Sequence, residues 1–362
     1  MATVSICMIV KNEEDVLGRC LESIEGMADE IIVVDTGSTD RTKEIASRFT
    51  ERIYDFKWID DFAAARNFAF SLAAMEYCMW LDADDLFLEE DCLAFKKMKK
   101  SLSPSVDVVM MKYNTGFDEK GNVTFSYYRE RLIKNHAGML WKGAVHEVIE
   151  PRGEIIYSEC AVTHRKLHPS DPDRNLRIFE KLIADGKELD PRQQYYYARE
   201  LYYHKRYSDA AAVFEAFLDE GNGWLENKID ACLHCSYCRF EMGEWEQAVR
   251  ILFRSFVYDS PRAEICCEIG KLFMEKQQFV QAAYWYECAR GCERDDSRGG
   301  FTSADCYTYI PCIQLCVCYD RLGSREKACE YNELAALYKP DSKAVEMNRN
   351  YFEGLHKSEG KS

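Results

Sequence analysis

Short apolar runs alternate with helical periodicity across residues 1–170, the pattern of a sheet covered by helices. VSICMIV (4–10) reads as a buried strand, and within 13–27 Val16, Leu17, Cys20, Leu21 and Ile24 share one helical face. EIIVVDTG (30–37) predicts a second buried strand ending at Asp35 and Gly37. STDRTKEIASRF (38–49) predicts a helix with Ser38 to Asp40 as its caps. RIYDF (52–56) reads as a short third strand, FAAARNFAFSLAA (62–74) as a helix and YCMWLDADD (77–85) as a fourth strand. DVVMMKY (107–113) and SYYRERLIKN (126–135) continue as later strands. The order βαβαβαβ predicts an α/β fold with a mostly parallel sheet.

From about residue 175 the rhythm becomes almost wholly helical, and it repeats. KRYSDA (205–210), GEWEQA (243–248), QQFVQA (277–282) and GSREKA (323–328) share a step, and their closing alanines lie 38, 34 and 46 residues apart. A helix with paired aromatic or small residues precedes each step and another helix follows it. A period near 34 with a turn before a small Ala resembles tetratricopeptide repeats, which stack into a curved surface suited to peptides. The added length before the last step falls around ERDDSRGGFTSAD (293–305). Two domains are expected, an α/β domain at 1–170 and an all-α repeat domain at 171–362.

The 362 residues are enough for two cores, and 47% hydrophobic with 30% charged residues describe an ordinary globular chain. No apolar run approaches the length of a bilayer span, and no secretory signal is visible, so membrane insertion is not expected and a cytoplasmic setting is. A net charge of -15 argues against nucleic acid as partner. Seventeen cysteines then read as reduced thiols. Cys232, Cys235 and Cys238, with His234 among them, fit small apolar packing better than a zinc site, which would recruit a second pair.

The chemistry concentrates where strands end. In an open parallel sheet, ligands bind beyond the carboxyl ends of the strands. Asn12, Glu13 and Glu14 follow the first strand, Asp35 ends the second, and Asp82, Asp84 and Asp85 end the fourth. Arg66 and Asn67 lie in the helix before that strand. Three carboxylates beside an apolar strand need water, a cation or hydrogen bonds; a solvated turn capping the next helix is the plain alternative. The turn after the first strand has no glycine cradle for a dinucleotide, no phosphate-binding G-x-x-x-x-G-K-[ST] loop occurs, and HEVIE (146–150) lacks the second His of a zinc protease. Carboxylates two apart suit a hard divalent cation that also holds substrate phosphates.

VSICMIVKNEE, IIVVDTGSTDRT, FAAARNFA and WLDADD, in that order, resemble the successive signatures of family-two inverting glycosyltransferases with the GT-A fold. RERLIKN…LWKGAVHEVIE followed by VTH resembles the branch with a C-terminal tetratricopeptide domain, which includes bacterial S-glycosyltransferases acting on bacteriocin peptides. The resemblance implies a UDP-sugar donor and Mn²⁺ or Mg²⁺. It implies that Asp35 holds the uracil or ribose, with Asp40 a weaker candidate that caps its own helix. Arg66, with Asn67 beside it, lies near the diphosphate. Asp82 faces ribose and metal, and Asp84 is the principal metal ligand; the role of Asp85 stays open.

Inverting transfer needs a carboxylate or imidazole near the acceptor. WKGAVHE offers Trp141, His146 and Glu147, with Glu147 expected as base or acceptor-orienting group and His146 nearby; in a strand, adjacent residues would face opposite sides. His164 is a candidate third metal ligand or else a buried structural histidine. Arg131 braces phosphate or pairs with an acid, and His168 is expected to be structural. The expected reaction moves a hexose, glucose or N-acetylglucosamine, onto a Cys, Ser or Thr of a peptide or protein. The alternatives are a transferase for a cell-surface glycan and a non-catalytic repeat scaffold. Repeat modules often pair, which allows a homodimer through the repeat domain.

Overall fold

The computed structural model describes residues 1–118, 121–167, 171–295 and 302–359. His168 and part of the 293–305 segment lie outside the described residues. The chain divides into two compact units, Met1–Glu188 and Leu189–Ser362. The division thus falls after Glu188 rather than after residue 170. Helix α5 (Arg174–Ala184) belongs to the first unit: the Lys181 ammonium pairs with Asp60, and the Arg174 guanidinium lies 4.7 Å from the Phe62 ring centre.

Strands β1 (Val4–Val10), β2 (Glu30–Asp35), β3 (Ile53–Asp55) and β4 (Tyr77–Leu81) are mutually parallel, with Val10 level with Asp35. Beyond them come β5 (Asp85–Leu86), β6 (Val106–Phe117), β7 (Val123–Lys134) and β10 (Glu154–His164). The eight strands follow the order β3-β2-β1-β4-β7-β6-β10-β5. Strand β7 runs antiparallel to both β4 and β6, while β10 returns parallel to β6. A separate two-stranded ribbon pairs β8 (Trp141–Lys142) with β9 (Val148–Ile149).

Strand alternation feeds two cores. Ile6 and Met8 on one face pack with Leu17, Leu21 and Phe95 from α1 (Leu17–Ser23) and α4 (Glu89–Ser101). Cys7, Cys78 and Trp80 on the other face meet Ala63, Ala69 and Phe70 of α3 (Phe62–Ser71), together with Trp141. Asp61 caps α3 by accepting from the Ala64 N–H.

Two helices are shorter than their periodicity predicts. Helix α2 spans only Thr42–Ala46, and Ser38 to Asp40 do not open it. They bind the loop after β1 instead: Ser38 Oγ accepts from the Asn12 N–H, Asn12 Oδ1 accepts from the Thr39 N–H, and Asp40 Oδ2 accepts from the Glu14 N–H. Apart from Asp40 Oδ1, which accepts from the Thr42 N–H at the start of α2, these residues bond loop to loop rather than along a helix, which also explains why residues 12–16 stay outside α1.

In the second unit, four helix pairs succeed one another: α6 (Pro191–Tyr203) with α7 (Tyr207–Glu220), α8 (Leu225–Glu241) with α9 (Trp245–Arg254), α10 (Ala263–Glu275) with α11 (Phe279–Arg290), and α12 (Tyr309–Arg321) with α13 (Arg325–Tyr338). A last helix, α14 (Lys343–Glu359), packs on α13. The recurring step has one physical form. Lys205, Gly243, Gln277 and Gly323 each take a left-handed backbone, φ 59°, 78°, 57° and 78°. Each first helix then closes with paired backbone bonds, such as Gln277 N–H to Met274 O and Gln278 N–H to Phe273 O, the Schellman arrangement. The alanines that end the steps, Ala210, Ala248, Ala282 and Ala328, are wholly buried, where a larger side chain would hold the paired helices apart. Cys232, Cys235 and Cys238 are likewise buried along α8, and His234 Nδ1 lies 2.9 Å from Asp230.

Candidate active site

The carboxyl end of β2 holds a buried acid. Asp35 is 1% exposed. Its Oδ1 accepts from the Gly37 and Ser38 N–H groups at 2.8 and 2.9 Å, and Lys43 Nζ lies 4.0 Å from the same oxygen. Its Oδ2 is buried with no protein partner. Since a buried carboxylate oxygen is costly to leave unpaired, this one is suited to a donor supplied by a ligand. Asp40, by contrast, spends its carboxylate on the protein, accepting from the Thr42 hydroxyl and N–H and the Glu14 N–H. Partial burial alone would raise its pKa; these bonds outweigh it and hold Asp40 below the usual carboxylate range.

After β4 the chain turns through Asp82, Ala83, Asp84 and Asp85. Asp85 is fully buried and has both oxygens engaged. Oδ1 accepts from the Tyr113 hydroxyl at 2.9 Å, while Oδ2 takes Arg131 Nη1 at 3.1 Å and the Asp82 N–H at 3.2 Å. Arg131 is itself wholly buried, its guanidinium carbon 3.6 Å from the Trp80 ring centre and 4.3 Å from that of Tyr113. Asp85 therefore pairs inward, and Asp84 remains on the open side of the turn with a half-buried side chain. The pairing of β10 with β5 brings His164 level with Asp85. His164 Nδ1 lies 3.4 Å from Asp84 Oδ1, 3.3 Å from Asp85 Oδ1 and 3.0 Å from the Tyr113 hydroxyl. The bonds to Asp84 and then Asp85 push the imidazole pKa up to about 10.

Asp84, Asp85 and His164 bring their ligand atoms within 4.8 Å of one another, the one such group of three among the described residues. Two carboxylates and an imidazole form an oxygen-rich set that could hold a divalent cation. With Asp85 committed to Arg131 and Tyr113, Asp84 and His164 are the members best able to turn outward.

Arg66 forms a second centre. It is buried between Trp80 and Trp141, with ring centres 4.9 and 5.0 Å from its guanidinium carbon. Nη2 donates to Asp82 Oδ1 at 2.8 Å and Nε to Glu147 Oε1 at 2.6 Å, while Nη1 is buried without a partner. Burial would lift the Asp82 pKa, but Arg66 and Arg131 more than offset it and keep Asp82 ionised. Asn67 acts beside this centre through the main chain: its amide donates to Trp141 O at 3.0 Å and accepts from Trp141 N–H at 2.9 Å. It therefore pins β8 under Arg66. His146 and Glu147 are not strand neighbours but lie in the turn between β8 and β9, where His146 has a left-handed φ of 52°. Strand alternation does not decide their directions.

Glu13, on the loop after β1, senses the same acids. Partial burial first, then the charges of Asp84, Asp82 and Asp40, raise its pKa to about 7. Tyr113 and Trp80 are site-forming residues that the sequence did not single out, because both sit within apolar strands and read as core.

Residues 5–151 match the family described as Glycosyl transferase family 2. A TPR repeat-containing protein of Synechococcus elongatus is 35% identical over 152 residues, covering 41% of this chain and 36% of that protein. The SPbeta prophage-derived glycosyltransferase SunS of Bacillus subtilis is 29% identical over 216 residues, covering 55% of this chain and 49% of SunS. The chain thus spans half or less of the length of these relatives. Among solved structures, the TPR protein YrrB aligns with 49% of this chain and 84% of its own, at 17% identity and a TM-score of 0.37. The N-terminal domain is a family 2 glycosyltransferase domain of GT-A architecture, and helical repeats of the tetratricopeptide type follow it.

Proposed function

We infer that this protein is a metal-dependent inverting glycosyltransferase. It moves glucose or N-acetylglucosamine from a UDP-sugar to a Cys, Ser or Thr side chain of a peptide or protein. The observation that carries the reading is the meeting of Asp84, Asp85 and His164 at the end of β4, within a domain that matches family 2. The free thiols support a reducing, cytoplasmic setting, and no helix among the described residues is long and apolar enough to cross a membrane.

Asp35 Oδ2 receives a donor from the uracil or ribose, satisfying its buried oxygen. Asp84 and His164 would hold a divalent ion, Mn²⁺ or Mg²⁺, which would supply positive charge to the departing diphosphate. Asp82, held by Arg66, faces the ribose side. Arg66 Nη1 supplies a buried donor toward the diphosphate, where a low dielectric strengthens it. The acceptor heteroatom attacks the anomeric carbon as the bond to the diphosphate oxygen breaks. Glu147 takes the acceptor proton through the oxygen that Arg66 does not use, with His146 adjacent. A thiol acceptor asks least of this base, because its pKa of about 8.5 is already near neutrality.

Nucleotide release from a panel of UDP- and GDP-sugars with Mn²⁺ tests the reading. One UDP-hexose should be cleaved, and cleavage should stop with EDTA and in Asp84→Asn. If no nucleotide sugar is bound or cleaved with or without metal, the assignment fails and a repeat-domain scaffold becomes the better account.

A further inference from the structure

Strand β7 carries an open edge beside the site. Its last residues pair with β4, at Leu132, Ile133 and Lys134, but β4 ends at Leu81. From Val123 to Glu130, β7 is bonded to β6 on one side, and among the described residues no strand pairs with the other side. Trp80 Nε1 donates to the Glu130 carbonyl at 2.5 Å, so the Glu130 main chain is turned toward β4. Strict alternation then turns the main-chain N–H and C=O of Tyr128 and Ser126 outward as well, giving donor–acceptor sets about 7 Å apart.

Proteins usually guard such an edge with charge, proline or a covering element. Residues 123–128, VTFSYY, contain no charged residue and no proline. Val123, Phe125 and Tyr127 are 48%, 43% and 38% exposed. The aromatic side chains on this strand lead to the site. The Phe125 ring centre lies 5.7 Å from that of Tyr127, Tyr127 lies 5.8 Å from Tyr113, and Tyr113 lies 5.7 Å from His164.

We propose that the free edge of β7 is the docking strand for the acceptor, an extended, uncharged polypeptide segment that adds to the sheet beside Ser126 and Tyr128. This rests on the transferase reading. A row of main-chain donors and acceptors is complementary to another main chain, whereas a glycan offers no such spacing. Alternate side chains of the docked segment lie over Phe125 and Tyr127, and the segment runs toward the turn of Asp82 to Asp85. Sequence tolerance follows from main-chain pairing, with the aromatic strip selecting flat or apolar residues.

Ser126→Pro tests this, since it removes a main-chain N–H on the side of β7 where no strand pairs among the described residues, and proline is tolerated on a free edge. The probe is a library of unstructured twelve-residue synthetic peptides, each with one Cys, Ser or Thr, presented with the cleaved UDP-hexose. Ser126→Pro should keep donor hydrolysis at the wild-type rate and lose peptide transfer by about tenfold, the effect of one or two net hydrogen bonds. Peptides N-methylated at alternate residues should show the same loss on the wild-type protein, a measurement that stands if the variant does not fold. Unchanged transfer in Ser126→Pro and with N-methylated peptides overturns the inference, as does wild-type donor hydrolysis with no peptide modified. Conversion of a dimer to a monomer by Ser126→Pro also overturns it, by assigning the edge to a second copy of the chain. Absence of donor hydrolysis in the wild type is the distinct outcome that fells the transferase reading itself, and this inference with it.

Discussion

Arg131 and Asp85 form an ion pair with no exposure at either side chain, Nη1 to Oδ2 at 3.1 Å, directly beneath the turn that carries Asp84. The pair absorbs one of the three acids at the end of β4 and gives the turn a fixed base. Because the attraction offsets desolvation only while both partners are present, removing one leaves a buried, uncompensated charge. Arg131→Met should destabilise the first domain by about 3–5 kcal/mol. Arg131→Met combined with Asp85→Asn should recover part of that loss. Urea unfolding of the two variants checks it, and equal loss in both would show that the pair is not coupled.

Arg66 joins Asp82 and Glu147 through two different nitrogens. Lysine keeps the charge but has no planar fork, so it cannot hold both acids while facing two indole rings. Arg66→Lys should lower donor hydrolysis about a hundredfold, the range for lost hydrogen bonds to charged groups, and should lower the melting temperature as well, because the same buried bonds are made in the fold. Steady-state nucleotide release measures the first and a thermal melt the second.

The Glu13 pKa lies near 7 in the fold against 4.5 for a free side chain. The folded state therefore binds more protons than the unfolded chain between those values, and stability falls as pH rises through that window. The penalty is absent below pH 4.5 and complete above pH 7. Glu13→Gln should raise the melting temperature relative to wild type at pH 8 and have no such advantage at pH 4.5, in buffer without divalent ions. An equal difference at both pH values would rule out ionisation as the cause.

Gln277 occupies the left-handed position that Gly243 and Gly323 fill in the neighbouring repeats. A side chain there costs about 1 kcal/mol, which glycine avoids at some expense in unfolded-state entropy. Gln277→Gly should stabilise the repeat domain by about 0.5 kcal/mol, and Gly243→Ala should destabilise it by about 1 kcal/mol. Denaturant midpoints followed on the full chain decide it; matching shifts of the same sign would contradict the mechanism.

What could be read along the chain is what local rules govern. Period-two and helical patterning delivered β1 to β4 and the helices between them, and the recurring turn-then-alanine step delivered four helix pairs. Strand-end placement drew attention to Asp35, Asp82, Asp84 and Asp85, because polar residues after apolar strands have few structural uses; Arg66 stood in the helix before the fourth strand, and His164 entered only through the family resemblance. Helices α1 and α2 are shorter than their periodicity predicts, since Asn12, Ser38 and Asp40 bond across 26 or 27 residues and such bonds leave no periodic trace. Only tertiary structure decided the division of labour among the acids. Asp84 and Asp85 are neighbours of identical chemistry, and the antiparallel insertion of β7 between β4 and β6 places Arg131 under one and not the other. The return of β10 beside β6 likewise brings His164, about eighty residues later, to the same turn. Charge pairing in a core depends on which distant strands become neighbours, and sheet order is a global choice that residue patterns within one strand do not encode.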